Sequence, residues 1–167
     1  DFRGERAYMR AVRLASFPSG LLRWRPTIEA MMVGIPADGP IFVMIDQAVV
    51  EAGTCHRRPG LHIDGHWVAE HGKHGHKRDP SKPEALVLAA DVMGCRAYVG
   101  SYEGEPSEGG DCSAIPNAGM ERRDLEPFVA WAGEADTFLH ESVPVSRDCR
   151  RTVVRLNVPG WTPAHEP

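Results

Sequence analysis

The sequence predicts an all-β or β-rich domain with a short N-terminal helix, on three observations. Gly (17) and Pro (14) are frequent among the 167 residues, the apolar runs between them are short, and those runs are rich in β-branched and aromatic residues. Such punctuation favours many strands joined by turns over a few long helices. A hydrophobic content of 42% over this length is enough for one core, so a single domain is expected over residues 1–167, with its core at about 28–158.

The elements follow in order. Residues 1–25 mix charges with Leu14, Phe17, Leu21, Leu22 and Trp24, and are expected to supply the short helix, lying across a sheet edge. Residues 28–35 and 41–53 read as two strands separated by the turn-like PADGP. Pro59 and Gly60 introduce LHIDGHW, a short strand whose alternation sets His62, Asp64 and His66 on one face and Leu61 and Ile63 on the other. Residues 71–83 have no hydrophobic period and read as a solvated loop, His71, His74 and His76 included.

Strands resume at 84–92 and 94–104, followed by a Gly/Pro/Ser-rich bend and the short DCSAI segment. That bend lacks the Lys-Ser/Thr of a phosphate-cradling loop. Asp124 is expected to cap a brief helical turn through 125–133, limited by Pro127. Two last strands are expected at 134–141 and 150–158, with Thr152, Val154, Leu156 and Val158 alternating on one face of the second, before a tail at 161–167.

A net charge of −4 with interspersed signs gives no broad basic surface, so nucleic acid is not indicated as a partner. No apolar run approaches the roughly 20 residues that span a bilayer, and residues 1–13 are too charged for a signal peptide. A soluble, intracellular or cytoplasmic chain with no membrane partner is expected. Cys55, Cys95, Cys112 and Cys149 are widely spaced, without a C-x-x-C pair, and are expected to be free thiols.

The chemistry is concentrated in His62-Ile63-Asp64 and His140. An H-x-D pair on a strand sets an imidazole beside a carboxylate, and a distant histidine completes a facial triad. Such a triad leaves metal positions open, which an enclosed four-ligand zinc site does not. His140 ends the apolar run in GEADTFLHESVPV, and CRRTVVRLNV follows it. Arg150 and Thr152 share the face of Val154 and Leu156, which alternation makes the expected interior. A guanidinium suits an anion there, because its planar fork meets a carboxylate with two parallel hydrogen bonds.

From Ile41 to Val158 this ordered set, H-x-D, a distal His and an Arg on the following strand, resembles the 2-oxoglutarate and Fe(II)-dependent dioxygenase superfamily. The resemblance implies a double-stranded β-helix (jelly-roll, cupin-like) fold, Fe(II) held by His62, Asp64 and His140, and 2-oxoglutarate as small-molecule co-substrate. It also implies that Arg150 clamps the far carboxylate of 2-oxoglutarate with Thr152 beside it in an R-x-[ST] arrangement, Arg151 being the alternative if a bulge shifts the register. The implied activity is hydroxylation of a C–H bond. Two other readings stand beside it: a catalytically inactive module acting as a binding or assembly subunit, as a homo-oligomer or in a larger particle, and a cupin-like metalloenzyme that needs no 2-oxoglutarate.

Overall fold

The structure is a computed structural model and describes residues 1–163. Its strands are β1 (Arg6–Val12), β2 (Ile41–Val50), β3 (His66–Val68), β4 (Lys73–Gly75), β5 (Glu84–Ala90), β6 (Cys95–Val99), β7 (Glu121–Asp124), β8 (Trp131–Glu134), β9 (His140–Ser142) and β10 (Cys149–Pro159). One α-helix, α1 (Arg25–Met31), follows a 3-10 segment at Ser19–Trp24. The protein is thus β-rich, as its composition predicts. The strands form a five-stranded sheet in the order β1-β2-β10-β5-β8, a three-stranded sheet β7-β6-β9 and the hairpin β3-β4. All the strand pairings are antiparallel.

The five-stranded sheet is covered on both faces, which explains why Ile41 to Gln47 is an unbroken buried run. One face, with Ile41, Val43, Ile45, Val87, Val154 and Leu156, packs against Ile28, Met31 and Met32 of the helical segment. Each such side chain taken out of water contributes about 1.5–3 kcal/mol. On the other face, Leu86 and Leu88 meet Ala97 of the smaller sheet. The layer between the two sheets therefore lies on the side of β10 opposite Val154 and Leu156.

Several expectations are corrected. Residues 28–35 do not form a strand; Pro26 sits in the first turn of α1, and Ile28, Met31 and Met32 recur at the i, i+3, i+4 spacing of one helical face. The region expected to hold only a helix contributes the edge strand β1. A register shift between Ala7 and Arg10, with Met9 at φ 50°, breaks the strand's period of two, so its burial does not alternate in the sequence. Asp124 does not cap a helical turn: it ends β7, and Trp131–Glu134 pairs with β5 as β8. Of the expected strand at 134–141, Glu134 ends β8 and strand structure resumes only at His140.

The segment expected to be a solvated loop contains β4, which folds back on β3 with His66 opposite Gly75 and Trp67 opposite His74. Glycine is required there. A Cβ on Gly65, at φ +79°, would run into the Gly75 carbonyl, and one on Gly75 would enter the His66 ring. The four cysteines are free, as expected. Among the described residues no helix is long and apolar enough to cross a membrane. Of the expected tail, residues 164–167 lie outside the described residues.

Candidate metal centre

His62 and His140 are brought together by their backbones. His62 N–H donates to the His140 carbonyl and His140 N–H to the His62 carbonyl, each at 3.0 Å. This reciprocal exchange sets two residues directly opposite each other, with side chains on the same face. Leu61 and Ile63 are buried among Cys112, Ile115 and Leu139. Alternation then turns His62 and Asp64 the other way, toward β10. The imidazole centroids of His62 and His140 lie 4.5 Å apart.

Asp64 completes the group: its Oδ1 is 3.7 Å from His62 Nε2 and its Oδ2 3.3 Å from His140 Nε2. One ligand atom from each residue lies within 4.8 Å of the others, so the three could hold one ion. Ligands at about 2.0–2.2 Å from a shared ion and at right angles sit about 3 Å apart, so the three side chains would have to draw closer to hold one ion. The far ring nitrogens are fixed as well. His62 Nδ1–H donates to the Gly60 carbonyl at 2.6 Å, and His140 Nδ1–H to the Phe138 carbonyl at 2.9 Å. A carbonyl only accepts, so in both rings the neutral tautomer leaves the Nε2 lone pair facing Asp64.

Burial, and then the nearby His140, pushes His62 down to about 4, so its ring is neutral at pH 7. For Asp64, burial acts to raise the pKa, but the Arg155 guanidinium and both histidines outweigh it and hold the carboxyl well below the usual range. Arg155 Nη1 lies 3.2 Å from Asp64 Oδ2, and both side chains are largely buried. The same guanidinium reaches His74 through Nη2 at 3.2 Å and the Met9 sulfur at 3.4 Å. His74 is packed edge-on against Trp67, their centroids 4.9 Å apart. The β3-β4 hairpin is thereby tied to the Asp64 pair through Arg155.

Arg151 projects from β10 into the same layer and is 1% exposed. Its Nε donates to the Val92 carbonyl at 2.8 Å and its Nη1 to His56 Nδ1 at 3.1 Å. His56 Nε2 is 3.5 Å from Asp46 Oδ1, and Asp46 is held in turn by Arg57 at 2.7 Å. Among the described residues Arg151 makes no ion pair with a carboxylate. A narrow cavity of about 60 Å³ runs between the triad, Arg151, Arg155 and Arg58.

Two expected site residues face elsewhere. Arg150 is exposed, its guanidinium 5.4 Å from the Phe2 ring, and Thr152 Oγ1 accepts from Gln47 Nε2 at 3.1 Å. Both lie on the α1 side of the sheet. Val154 and Leu156 mark that face as apolar, but α1 covers it, so an apolar face was the wrong guide to the layer between the sheets. His66, expected beside His62 and Asp64, instead pairs through Nδ1 with Asp136 at 2.9 Å, and His71 is exposed.

The residues that sequence reasoning missed are Arg155, His74, Met9, His56 and Asp46. A signal existed for the first: Arg151, Val153, Arg155 and Asn157 alternate along a buried strand, and polar groups at that period need partners in the interior. For His74 no local signal existed, because it reaches Arg155 only through the hairpin.

The buried histidines make the metal-free protein acid-sensitive. Burial, and then the Arg155 charge, lowers His74 to about 4, as burial also lowers His62. With folded pKa values below the unfolded value of 6.5, the unfolded chain takes up these protons first. Their contribution is therefore intact above pH 6.5 and is lost as pH falls from 6.5 to about 4, by roughly 3 kcal/mol per histidine at most. Urea titrations in a chelator at pH 7.5, 5.5 and 4.5 should show falling midpoints, with smaller drops in His74→Gln; a flat profile would contradict the sign.

A comparison of the chain with protein-family models matched none of them, and a comparison with curated proteins returned no match.

Proposed function

We propose that this protein is a non-haem Fe(II) and 2-oxoglutarate-dependent oxygenase, with the metal held by His62, Asp64 and His140. On this reading the five- and three-stranded sheets are the two walls of a double-stranded β-helix. One observation carries the proposal: two Nε2 atoms with fixed tautomers and a carboxylate converge beside Arg151, a buried cation that makes no ion pair among the described residues. The donor set fits a divalent metal, and the guanidinium fits the far carboxylate of a diacid, which could not be buried unpaired.

Bound there, iron and 2-oxoglutarate supply the dioxygen chemistry that hydroxylates a C–H bond, with succinate and carbon dioxide as co-products. The chain's own contribution is positional. The Gly60 and Phe138 carbonyls hold Nδ1 of both imidazoles and aim their Nε2 atoms, Arg155 keeps Asp64 ionised, and Met44 and Leu88 line the cavity. In this function Arg151 replaces Arg150 as the clamp.

The narrow cavity favours a second reading. About 60 Å³ holds only some four waters, so a five-carbon diacid enters only if side chains move. A cupin-like metalloenzyme acting on a smaller anion, without 2-oxoglutarate, would need no such movement. Metal analysis of protein purified without chelator, followed by assay of succinate release with Fe(II), ascorbate and 2-oxoglutarate, tests the two together. The oxygenase requires stoichiometric metal and release of succinate. Bound metal with no succinate favours the second reading, and absence of metal favours a binding or assembly module.

A further inference from the structure

We infer that the substrate of this site is an acid, a molecule bearing a carboxylate or phosphate that Arg58 receives at the mouth of the cavity. The inference rests on the oxygenase reading and extends it to the substrate class.

Four guanidiniums, from Arg57, Arg58, Arg151 and Arg155, line the cavity beside the triad. Two are matched by carboxylates within the protein: Arg57 by Asp46 at 2.7 Å and Arg155 by Asp64 at 3.2 Å. Arg151 and Arg58 make no ion pair among the described residues. They differ in depth. Arg151 is sealed inside, whereas Arg58 is exposed and holds one contact, Nη1 donating to the Gly109 carbonyl at 2.7 Å. That contact anchors the guanidinium at the rim and, among the described residues, its other N–H groups make no hydrogen bond. Asp111, which feels the Arg58 charge, commits its carboxylate oxygens to Ser113 and Ser107.

A 2-oxoglutarate dianion has its keto-acid end for the metal and its far carboxylate for Arg151. Nothing in it remains for Arg58. A divalent ion on the triad adds two further positive charges to a wall that already has more guanidiniums than carboxylates. A neutral substrate would enter that field with no electrostatic gain, whereas an anion is drawn in and oriented by a planar fork that matches carboxylate and phosphate oxygens. Arg58 lines the same cavity as His62, so an acid bound to it is delivered beside the metal.

The test uses Mn(II) in place of iron, with 2-oxoglutarate present and salt held at 0.15 M. Substrate approach is read as the fall in water-proton relaxation enhancement when a probe displaces water from Mn(II). The probes are matched pairs: N-acetyl-aspartate amide against N-acetyl-asparagine amide, and N-acetyl-phosphoserine amide against N-acetyl-serine amide. At least one acid should lower the enhancement saturably while its neutral partner does not, and the stronger acid identifies carboxylate or phosphate. Arg58→Gln should weaken that acid by about 10- to 100-fold with Mn(II) affinity unchanged, and Arg58→Lys should recover part of the loss. Equal responses to charged and neutral partners, or equal acid affinity in wild type and Arg58→Gln, would overturn the inference while leaving the oxygenase reading intact. Failure of the wild type to take up Mn(II) or 2-oxoglutarate would overturn both.

Discussion

Asp64→Ala is expected to abolish metal binding and to cost the metal-free protein about 3–5 kcal/mol, the usual effect of removing one partner of a buried ion pair. Two properties of Asp64 combine in that result. Its carboxylate would be the anionic donor of the proposed metal triad, and it is also the carboxylate paired with Arg155, a side chain 7% exposed. Truncation leaves the guanidinium buried with, among the described residues, only the Met9 sulfur and the His74 ring as partners. Adding Arg155→Met should restore most of the stability, because replacing both members of a buried pair by apolar groups is often neutral, whereas metal binding should stay lost. Urea denaturation in a chelator and metal content after dialysis measure the two effects separately. An Asp64→Ala protein that keeps full metal stoichiometry would remove the triad from the proposed function, and a double variant no more stable than the single one would show that Arg155 is not the cause of the loss.

The site was more legible than the fold around it, and the reason lies in which signals are local. H-x-D needs only alternation along a few residues, so the common direction of His62 and Asp64 could be read directly, with Leu61 and Ile63 as the opposing apolar pair. His140 was identified by its order in the chain. Its pairing with His62 depends on how two distant segments meet, which no local pattern encodes. The expected short helix was placed too early, within 1–25, and its continuation as α1 was read as a strand because Ile28, Met31 and Met32 satisfy both a strand composition and a helical period, and the choice is made by the sheet face they cover. That error propagated. Without α1 outside the sheet, the apolar side of β10 had to be the interior, and Arg150 was placed there in consequence. Bulges and hairpins were hidden for a related reason: the register shift in β1 arises in its pairing with β2, and the return of β4 onto β3 depends on Gly65 and Gly75, neither being set by the hydrophobic period.

Exchanging the roles of Arg150 and Arg151 leads to the second large effect. Arg151→Met should weaken 2-oxoglutarate binding by about 2–5 kcal/mol, since the far carboxylate of the diacid would then be buried without a cation. Metal affinity should not change, because Arg151 touches none of the three ligands; its contacts are the Val92 carbonyl and His56. Stability should move little, by about 1–2 kcal/mol in either direction, because the lost hydrogen bonds to those two groups are offset by removal of a buried charge that makes no ion pair among the described residues. Arg151→Lys should recover only part of the affinity, a point ammonium being unable to supply two parallel hydrogen bonds. Arg150→Ala is the internal control. Arg150 is exposed on the α1 side of the sheet, over the Phe2 ring, and its removal should leave 2-oxoglutarate affinity at the wild-type value. Anaerobic titration of the Fe(II)-loaded variants, following the metal-to-ligand absorption band, measures all of these affinities. Equal affinity in wild type and Arg151→Met would exclude the clamp, and a loss in Arg150→Ala instead would mean that β10 presents its other face to the co-substrate.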